Sequence, residues 1–212
     1  MTEPTDPGDT AALLAAYDEQ LRTDAETPSA TSVTRLGPLR LVTFAGGRGF
    51  VTYPRLEGVD ARTLRDWVTR TLDLYRADDE IDRIEWKTRG HDDAPGLHDA
   101  LVDHHFEPQE PESIMVGEAR LLAVDVPLPD GVSLRAVTAE ADVRAMCVMQ
   151  DEAFGDAVAE RFAESLLRRL SLRDGMELWV AEADGEMVAA GRLEPVAGTQ
   201  FAGLWGGATL PD

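Results

Sequence analysis

The stretch ELWVAEADGEMVAAGRLEPVAGTQFAGLWGGATLPD, residues Glu177 to Asp212, decides the fold of this chain. Asp184-Gly185 separates two apolar runs, and Asp-Gly between such runs is a strong hairpin signal. A looser turn at Val196 to Thr199 leads into a third run, Phe201 to Thr209. The stretch therefore predicts three consecutive antiparallel strands.

The residues before these strands predict one more strand and two helices. The strand lies at Ser133 to Val137. The first helix has an inward face formed by Val143, Met146, Cys147, Gln150 and Phe154. The second presents Val158, Phe162, Leu166 and Leu170 in the same way. Residues 132 to 210 thus predict the order strand, helix, helix and three strands.

The first half of the chain predicts a separate set of elements. A proline-containing stretch with an Asp-Gly turn, Leu121 to Gly131, marks a boundary between domains at 1–125 and 131–212. Asp60 is the expected N-cap of a helix. The remaining predictions are a helix at Ala11 to Thr23, a hairpin of Leu39 to Phe44 with Gly49 to Pro54, a strand at Arg83 to Thr88, a short helix around Leu97 to Val102 and a strand at Ser113 to Glu118.

Composition restricts the functions that the chain can have. The formal net charge is −20, from 40 acidic and 20 basic residues in a chain of 212. This charge repels a phosphate backbone, so we expect no binding of nucleic acid by bulk charge. No apolar run approaches membrane-spanning length, which predicts no membrane partner. The single cysteine excludes an internal disulfide and favours a cytoplasmic location.

Side chains that could form other kinds of site favour structural roles. Cys147 lies among apolar helical neighbours, which predicts core packing in place of nucleophilic chemistry. The histidines match no recognised ligand spacing, so no metal is expected. The four tryptophans are predicted to lie on buried faces: Trp67, Trp86, Trp179 and Trp205.

The element order and two sequence features resemble the GNAT (Gcn5-related N-acetyltransferase) superfamily. VAEADGEMVAAGRL is similar to the hairpin of the family's second and third strands, and GLWGGATLPD resembles its fourth strand. The stretch from Ile84 to Ala119 is similar to part of the degenerate unit that precedes the catalytic unit in tandem acetyltransferases. The resemblance implies an α+β (mixed α/β) fold with mostly antiparallel central sheets flanked by helices, and a second unit that is incomplete.

The resemblance also implies acetyl-coenzyme A (acetyl-CoA) as co-substrate, without a metal. In the family the backbone of the fourth strand pairs with the pantetheine arm, a role that falls here on Gly206, Gly207, Ala208, Thr209 and Leu210. These small residues permit close backbone approach, although the glycines are equally typical of a β-bulge. The family's pyrophosphate loop, Arg/Gln-x-x-Gly-x-Gly/Ala, is expected directly after this strand, and the sequence given stops before it.

Acetyl transfer needs a group that accepts the proton of the amine. Glu194, at the end of the third strand of the stretch, and Glu152, at the end of the first helix, are the candidates by position; each is also compatible with an ordinary solvated glutamate. The family often uses a tyrosine on a later helix to protonate the thiolate. The three tyrosines all lie in the first half of the chain, so that role is unfilled: Tyr17, Tyr53 and Tyr75.

Two functions are compatible with these features. The first is an acetyl-CoA-dependent N-acetyltransferase of an unidentified small-molecule or peptide amine, with this chain inactive or incomplete on its own. The second is a non-catalytic GNAT-like binding or assembly module. Leu204 to Leu210 is expected to form an open strand edge that must be covered, by a missing carboxyl-terminal segment, by the first domain or by a second copy in a homodimer.

Overall fold

The computed structural model describes residues 7–211, which divide into two compact units, one up to Gly117 and one from Glu118 onward. Each unit contains a four-stranded sheet and its own apolar core. The expected α+β fold, with mostly antiparallel sheets flanked by helices, is confirmed.

The first unit is built on a sheet of order β1-β2-β3-β4. Its elements are α1 (Pro7–Gln20), β1 (Ser32–Leu36), β2 (Leu39–Phe44), β3 (Arg48–Thr52), α2 (Ala61–Arg76), β4 (Arg83–Trp86) and α3 (Leu97–Asp103). The first three strands are antiparallel, and β4 lies parallel to β3. A parallel neighbour requires a crossover connection, which α2 supplies.

Helix α2 shows how local sequence fixes an element. The Asp60 carboxylate accepts the backbone N–H of Thr63 at 2.8 Å, so the predicted N-cap is confirmed. The buried face of the helix packs against the sheet through Leu64, Val68, Leu72 and Tyr75. The Tyr75 hydroxyl donates to the Val42 carbonyl at 2.8 Å and accepts the Phe50 N–H at 3.2 Å. Helix α2 is therefore joined to both β2 and β3.

Buried charge also holds the first unit together. The Arg22 side chain is almost fully buried and donates to both oxygens of Asp92, at 2.7 and 2.8 Å. Asp18 accepts from the same guanidinium at 3.1 Å. The pair of Arg22 and Asp92 therefore links the segment after α1 to the loop between β4 and α3.

The second unit has an antiparallel sheet of order β5-β6-β7-β8. Its elements are β5 (Val132–Val137), α4 (Glu140–Phe154), α5 (Ala159–Ser171), β6 (Glu177–Ala183), β7 (Glu186–Pro195) and β8 (Ala202–Thr209). The order agrees with the sequence prediction. Asp184 and Gly185 have φ of 52° and 87°, and positive φ at both central residues is what a type I′ hairpin turn requires.

Both helices of this unit cover one face of the sheet. Val143, Met146 and Cys147 of α4 form a core with the inward residues of β6. At the turn between the helices, the Asp151 carboxylate accepts the N–H groups of Val158 and Ala159 at 2.8 and 2.7 Å. These bonds satisfy the first amides of α5, so the end of α4 is fixed to the start of α5.

Several expectations about elements and burial are wrong. Phe154 and Val158, which were predicted to face inward, are 56% and 40% exposed, because they lie at the end of α4 and at the N-cap of α5. Ser113 to Glu118 forms no strand, and Met115 is 93% exposed, because no neighbouring strand pairs with this segment in the described structure. Strand β1 was not expected. Two of the tryptophans are not buried: Trp205 is 56% exposed and Trp179 is 40% exposed, with its indole N–H donating to Glu177 at 2.8 Å.

Candidate functional site

Strand β8 is the outermost strand of the second sheet. Within the described residues it is hydrogen bonded along one side only, to β7, so its other side is an open edge. All five predicted coenzyme-binding residues lie on this strand or immediately after it: Gly206, Gly207, Ala208, Thr209 and Leu210. An open edge offers unpaired backbone N–H and C=O groups, which an extended ligand can bind.

A β-bulge interrupts this edge. Ala190 pairs with Ala208 and Arg192 pairs with Trp205, so Gly191 of β7 faces two residues of β8, Gly206 and Gly207. Gly206 has φ of 60°, a left-handed conformation that favours glycine. The sequence left a bulge open as an alternative to a coenzyme-facing role. The bulge is present, and it lies within the open edge.

The five predicted residues do not contribute equally to this edge. The Leu210 N–H donates to the Val188 carbonyl of β7 at 2.9 Å, so it is already used within the sheet. Successive strand residues direct their peptide groups to opposite sides, so Thr209 directs its N–H and C=O to the open edge. The Ala208 side chain is buried, and Ala208 pairs with Ala190 of β7. The backbone around Gly207 and Thr209 is thus the part available to a ligand.

Helix α4 contacts the bulge through a residue to which the sequence assigned no function. The Gln150 side chain is 5% exposed, and its Nε2 donates to the Gly206 carbonyl at 2.7 Å. A Cβ added to Gly206 would lie 3.0 Å from this nitrogen. The only sequence signal is one amide on an otherwise apolar helix face, spaced seven residues after Val143. The role of Gln150 at the bulge depends on its contact with Gly206, which is 56 residues away in the sequence. The helical spacing of apolar residues does not reveal such a contact.

The predicted base Glu194 lies in a cluster of charged side chains on the helix-covered face. One carboxylate oxygen accepts from Arg169 Nη1 at 2.8 Å, and the other accepts from Arg192 Nε. Arg169 also donates to Asp174 at 2.7 Å. Burial lowers the pKa of Arg169, but its bonds to Asp174 and its attraction to Glu194 raise the pKa overall. Both oxygens of Glu194 are therefore engaged with guanidinium groups.

Arg192 links this cluster to the bulge. Its guanidinium carbon lies 5.6 Å from the centre of the Phe162 ring, and its Nη1 is 3.6 Å from the position that a Cβ on Gly206 would occupy. Glu194 is therefore one side chain away from the candidate ligand edge. The bond from Arg192 to Glu194 orients the Arg192 side chain, and the two arginines together balance the charge of the carboxylate.

Glu152, the other predicted base, is placed differently. It is exposed and follows Gln150 by two residues, which on a helix puts it on nearly the opposite face. Gln150 faces the sheet, so Glu152 faces away from β8. The structure brings Glu194 close to the bulge and does not bring Glu152 there.

Cys147 and Tyr75 have structural environments. Burial, and to a lesser extent the charge of Asp151, raises the pKa of the Cys147 thiol to about 11. Burial raises the pKa of Tyr75 to about 12, and its hydroxyl bonds the sheet backbone of the first unit. Among residues 7–211 no group of three or more His, Cys, Asp or Glu side chains could hold a metal ion. No helix in the same range has the length and hydrophobicity needed to cross a bilayer.

The pyrophosphate-loop pattern occurs in part in the first unit. Arg55 and Gly58 match its first and fourth positions and lie between β3 and α2, at a strand-to-helix turn. The last position is Asp60 instead of Gly or Ala. Its carboxylate already accepts the Thr63 N–H, and bonds to the backbone and side chain of Thr63 lower its pKa. Because a negative charge occupies the helix N-terminus, this turn does not fit a phosphate.

Comparisons with known proteins identify the fold. No protein-family model and no curated protein matches the sequence. Among solved structures, the chain is similar to a GCN5-related N-acetyltransferase from Kribbella flavida, with 19% identity, a TM-score of 0.53 and coverage of 94% of this chain and 72% of that one. A tandem GNAT protein from the clavulanic acid biosynthesis pathway, solved without AcCoA, is 16% identical, with a TM-score of 0.48 and coverage of 94% of this chain and 76% of that one.

Proposed function

We infer the function of the chain from its fold, which is that of GCN5-related N-acetyltransferases, as the sequence resemblance implied. We propose that the protein is an acetyl-CoA-dependent N-acetyltransferase and that the open edge of β8 binds the pantetheine arm. The observation that supports this most is the bulge of Gly206 and Gly207 on a strand that is paired on one side only in the described structure. It gives an extended, amide-bearing ligand both backbone partners and room to approach.

The residues of the second unit fit the arm of the coenzyme, whereas no described residue forms a cradle for its pyrophosphate. Bound acetyl-CoA supplies the thioester carbon that the amine nitrogen attacks. A C–N bond forms, the C–S bond breaks, the sulfur leaves as a thiolate and the amine gives up a proton. Thr209 and Gly207 would bind and orient the arm through their peptide groups.

Glu194 is the better supported proton acceptor of the two predicted glutamates, because it lies one side chain from the bulge and Glu152 faces away. Each of its oxygens accepts one arginine bond and keeps a free lone pair that can take a proton. In the free protein the same carboxylate holds Arg192 in place. The acceptor is proposed to be a cationic small-molecule or peptide amine, because the chain carries a net charge of −20. Cytoplasmic location and the absence of nucleic-acid and membrane partners remain part of this proposal.

Calorimetric titration tests the proposed function. The 212-residue protein is titrated with acetyl-CoA, and in parallel with coenzyme A and with ADP. We expect saturable binding of the first two in the micromolar range and much weaker binding of ADP, because the arm makes the contacts. No heat of binding from acetyl-CoA, or binding equal to that of ADP, would contradict the proposal.

A non-catalytic assembly module remains the second candidate, supported by the uncovered face of the second sheet. Leu134, Trp179 and Leu204 lie on the face opposite the helices, and Leu204 is 69% exposed. Exposed apolar side chains on one sheet face favour contact with a partner, here proposed to be a second copy of the chain. Sedimentation velocity distinguishes the candidates: a dimer that Leu204→Ser dissociates favours a module, and a monomer at all concentrations argues against it.

A further inference from the structure

The contact between Gln150 and the bulge has a feature that core packing does not explain. Gly206 presents a carbonyl oxygen, so only the amide nitrogen of Gln150 can bond it, and this fixes which end of the side chain faces the bulge. The other end, Oε1, is buried and has no hydrogen-bond partner within the described structure. A buried acceptor without a partner is unfavourable. An apolar side chain of the same size would therefore suit this position better if filling the core were its only task.

The bond of Gln150 changes what the bulge offers to a ligand. Helix α4 packs on one face of the sheet, so a bond from Gln150 turns the Gly206 carbonyl toward that face and away from the strand ladder. The positive φ of Gly206 allows this turn. With Gly206 fixed, the next peptide groups that face the open edge, those of Gly207 and Thr209, are held in one orientation. A mobile bulge would present them in several orientations, at a cost in binding.

We propose that Gln150 is a positioning residue that fixes the bulge and thereby orders the backbone edge for the ligand of β8. The inference rests on the proposed binding of the coenzyme arm, but the holding of the bulge by Gln150 is measurable without any ligand. Arg192 approaches Gly206 from β7, yet the structure gives the Gly206 carbonyl no bond from it. Gln150 is thus the side chain that sets the orientation of this peptide.

Two substitutions separate positioning from packing. Gln150→Met keeps the length and volume of the side chain and removes the donor. Gln150→Glu keeps the shape and, when ionised, places an acceptor against the Gly206 carbonyl. The matched control is Val143→Ala, which removes buried volume from the same helix two turns away from the bulge.

The readouts are the backbone amide spectrum and the affinity for coenzyme A. We expect Gln150→Met to shift the Gly206 and Gly207 resonances, to speed their hydrogen exchange about tenfold, and to weaken coenzyme A binding about fivefold, as the loss of one hydrogen bond implies. Gln150→Glu should weaken binding more than Gln150→Met does. Val143→Ala should lower the thermal midpoint without either effect.

Three results would overturn the proposal: unchanged Gly206 and Gly207 resonances in Gln150→Met, shifted resonances with unchanged affinity, or equal losses of affinity in Val143→Ala. If the unaltered protein binds no coenzyme A, the proposed function fails instead. The amide spectra of the ligand-free variants then decide by themselves whether Gln150 holds the bulge.

Discussion

Tyr75 shows how one buried residue sets both stability and its dependence on pH. Its hydroxyl donates to Val42 and accepts from Phe50, so Tyr75→Phe should lower the free energy of unfolding of the first unit by about 1–2 kcal/mol at pH 7. Burial raises the pKa of Tyr75 from 10 to about 12. A raised pKa means that the folded state holds the proton more tightly, so the contribution is complete below pH 10 and is lost as the pH rises toward 12.

Hydrogen exchange of β2 and β3 amides, measured at several pH values, checks this prediction. The difference between the unaltered protein and Tyr75→Phe should be constant up to about pH 9 and narrow above pH 10. A difference that grows with pH in that range would be inconsistent with a buried neutral phenol.

Cys147 is predicted to be unreactive. Its thiol is fully buried and its pKa is raised to about 11, so almost none is present as the reactive thiolate at pH 8. A disulfide reagent should label the folded protein at least about a hundredfold more slowly than the urea-unfolded protein, since labelling requires opening of the core. Complete labelling of the folded chain within seconds would show that the thiol is accessible.

Removing one backbone N–H group tests whether the open edge of β8 binds the coenzyme. Thr209→Pro deletes the N–H that faces the open edge, and proline is tolerated on an edge strand when this side is unpaired. We expect coenzyme A to bind about fivefold more weakly, which corresponds to about 1 kcal/mol. Thr209→Ala keeps the N–H and is the matched control.

Titration calorimetry of both variants, with their circular dichroism spectra, checks this expectation. If both variants bind equally well while remaining folded, the Thr209 N–H does not contact the ligand. If Thr209→Ala alone weakens binding, the side chain is responsible and the backbone assignment is wrong.

The elements that the sequence predicted are those whose signals are local. The Asp184-Gly185 turn and the Asp60 cap each depend on a few neighbouring residues, and both are confirmed. Ser113 to Glu118 was predicted as a strand but pairs with none in the described structure. Strand β1 was missed because it is an edge strand whose side chains are exposed except for Leu36. Whether a segment pairs with a neighbouring strand is decided by distant residues, and the local sequence alone does not reveal it.

The residues of the candidate site also divide into those with a local sequence signal and those placed by contacts between distant residues. The glycines of β8 could be selected from the sequence because close backbone approach requires small residues. Gln150 could not, because its bond to Gly206 depends on the packing of α4 against β8. The bond from Arg169 to Glu194 was missed for the same reason, because Arg169 lies on α5, 25 residues away.

At the scale of the whole molecule, the net charge of −20 makes the proposed reaction sensitive to salt. A negative field raises the encounter rate of cationic amines, and screening at 0.1 M salt confines it to about 10 Å. Raising the salt concentration from about 20 to 300 mM should lower kcat/KM several-fold for a polyamine. An aromatic amine, neutral at pH 7, is the control and should change little. An equal response of both amines would show that the net charge plays no part.

The most direct test of the central claim is an amide-resolved NMR titration of the chain with acetyl-CoA. We expect saturable shifts at Gly207 and Thr209, whose peptide groups border the open edge, and a smaller shift at Leu210, whose N–H bonds Val188. Saturable binding with no change along β8, or with changes confined to the first unit, would contradict the account.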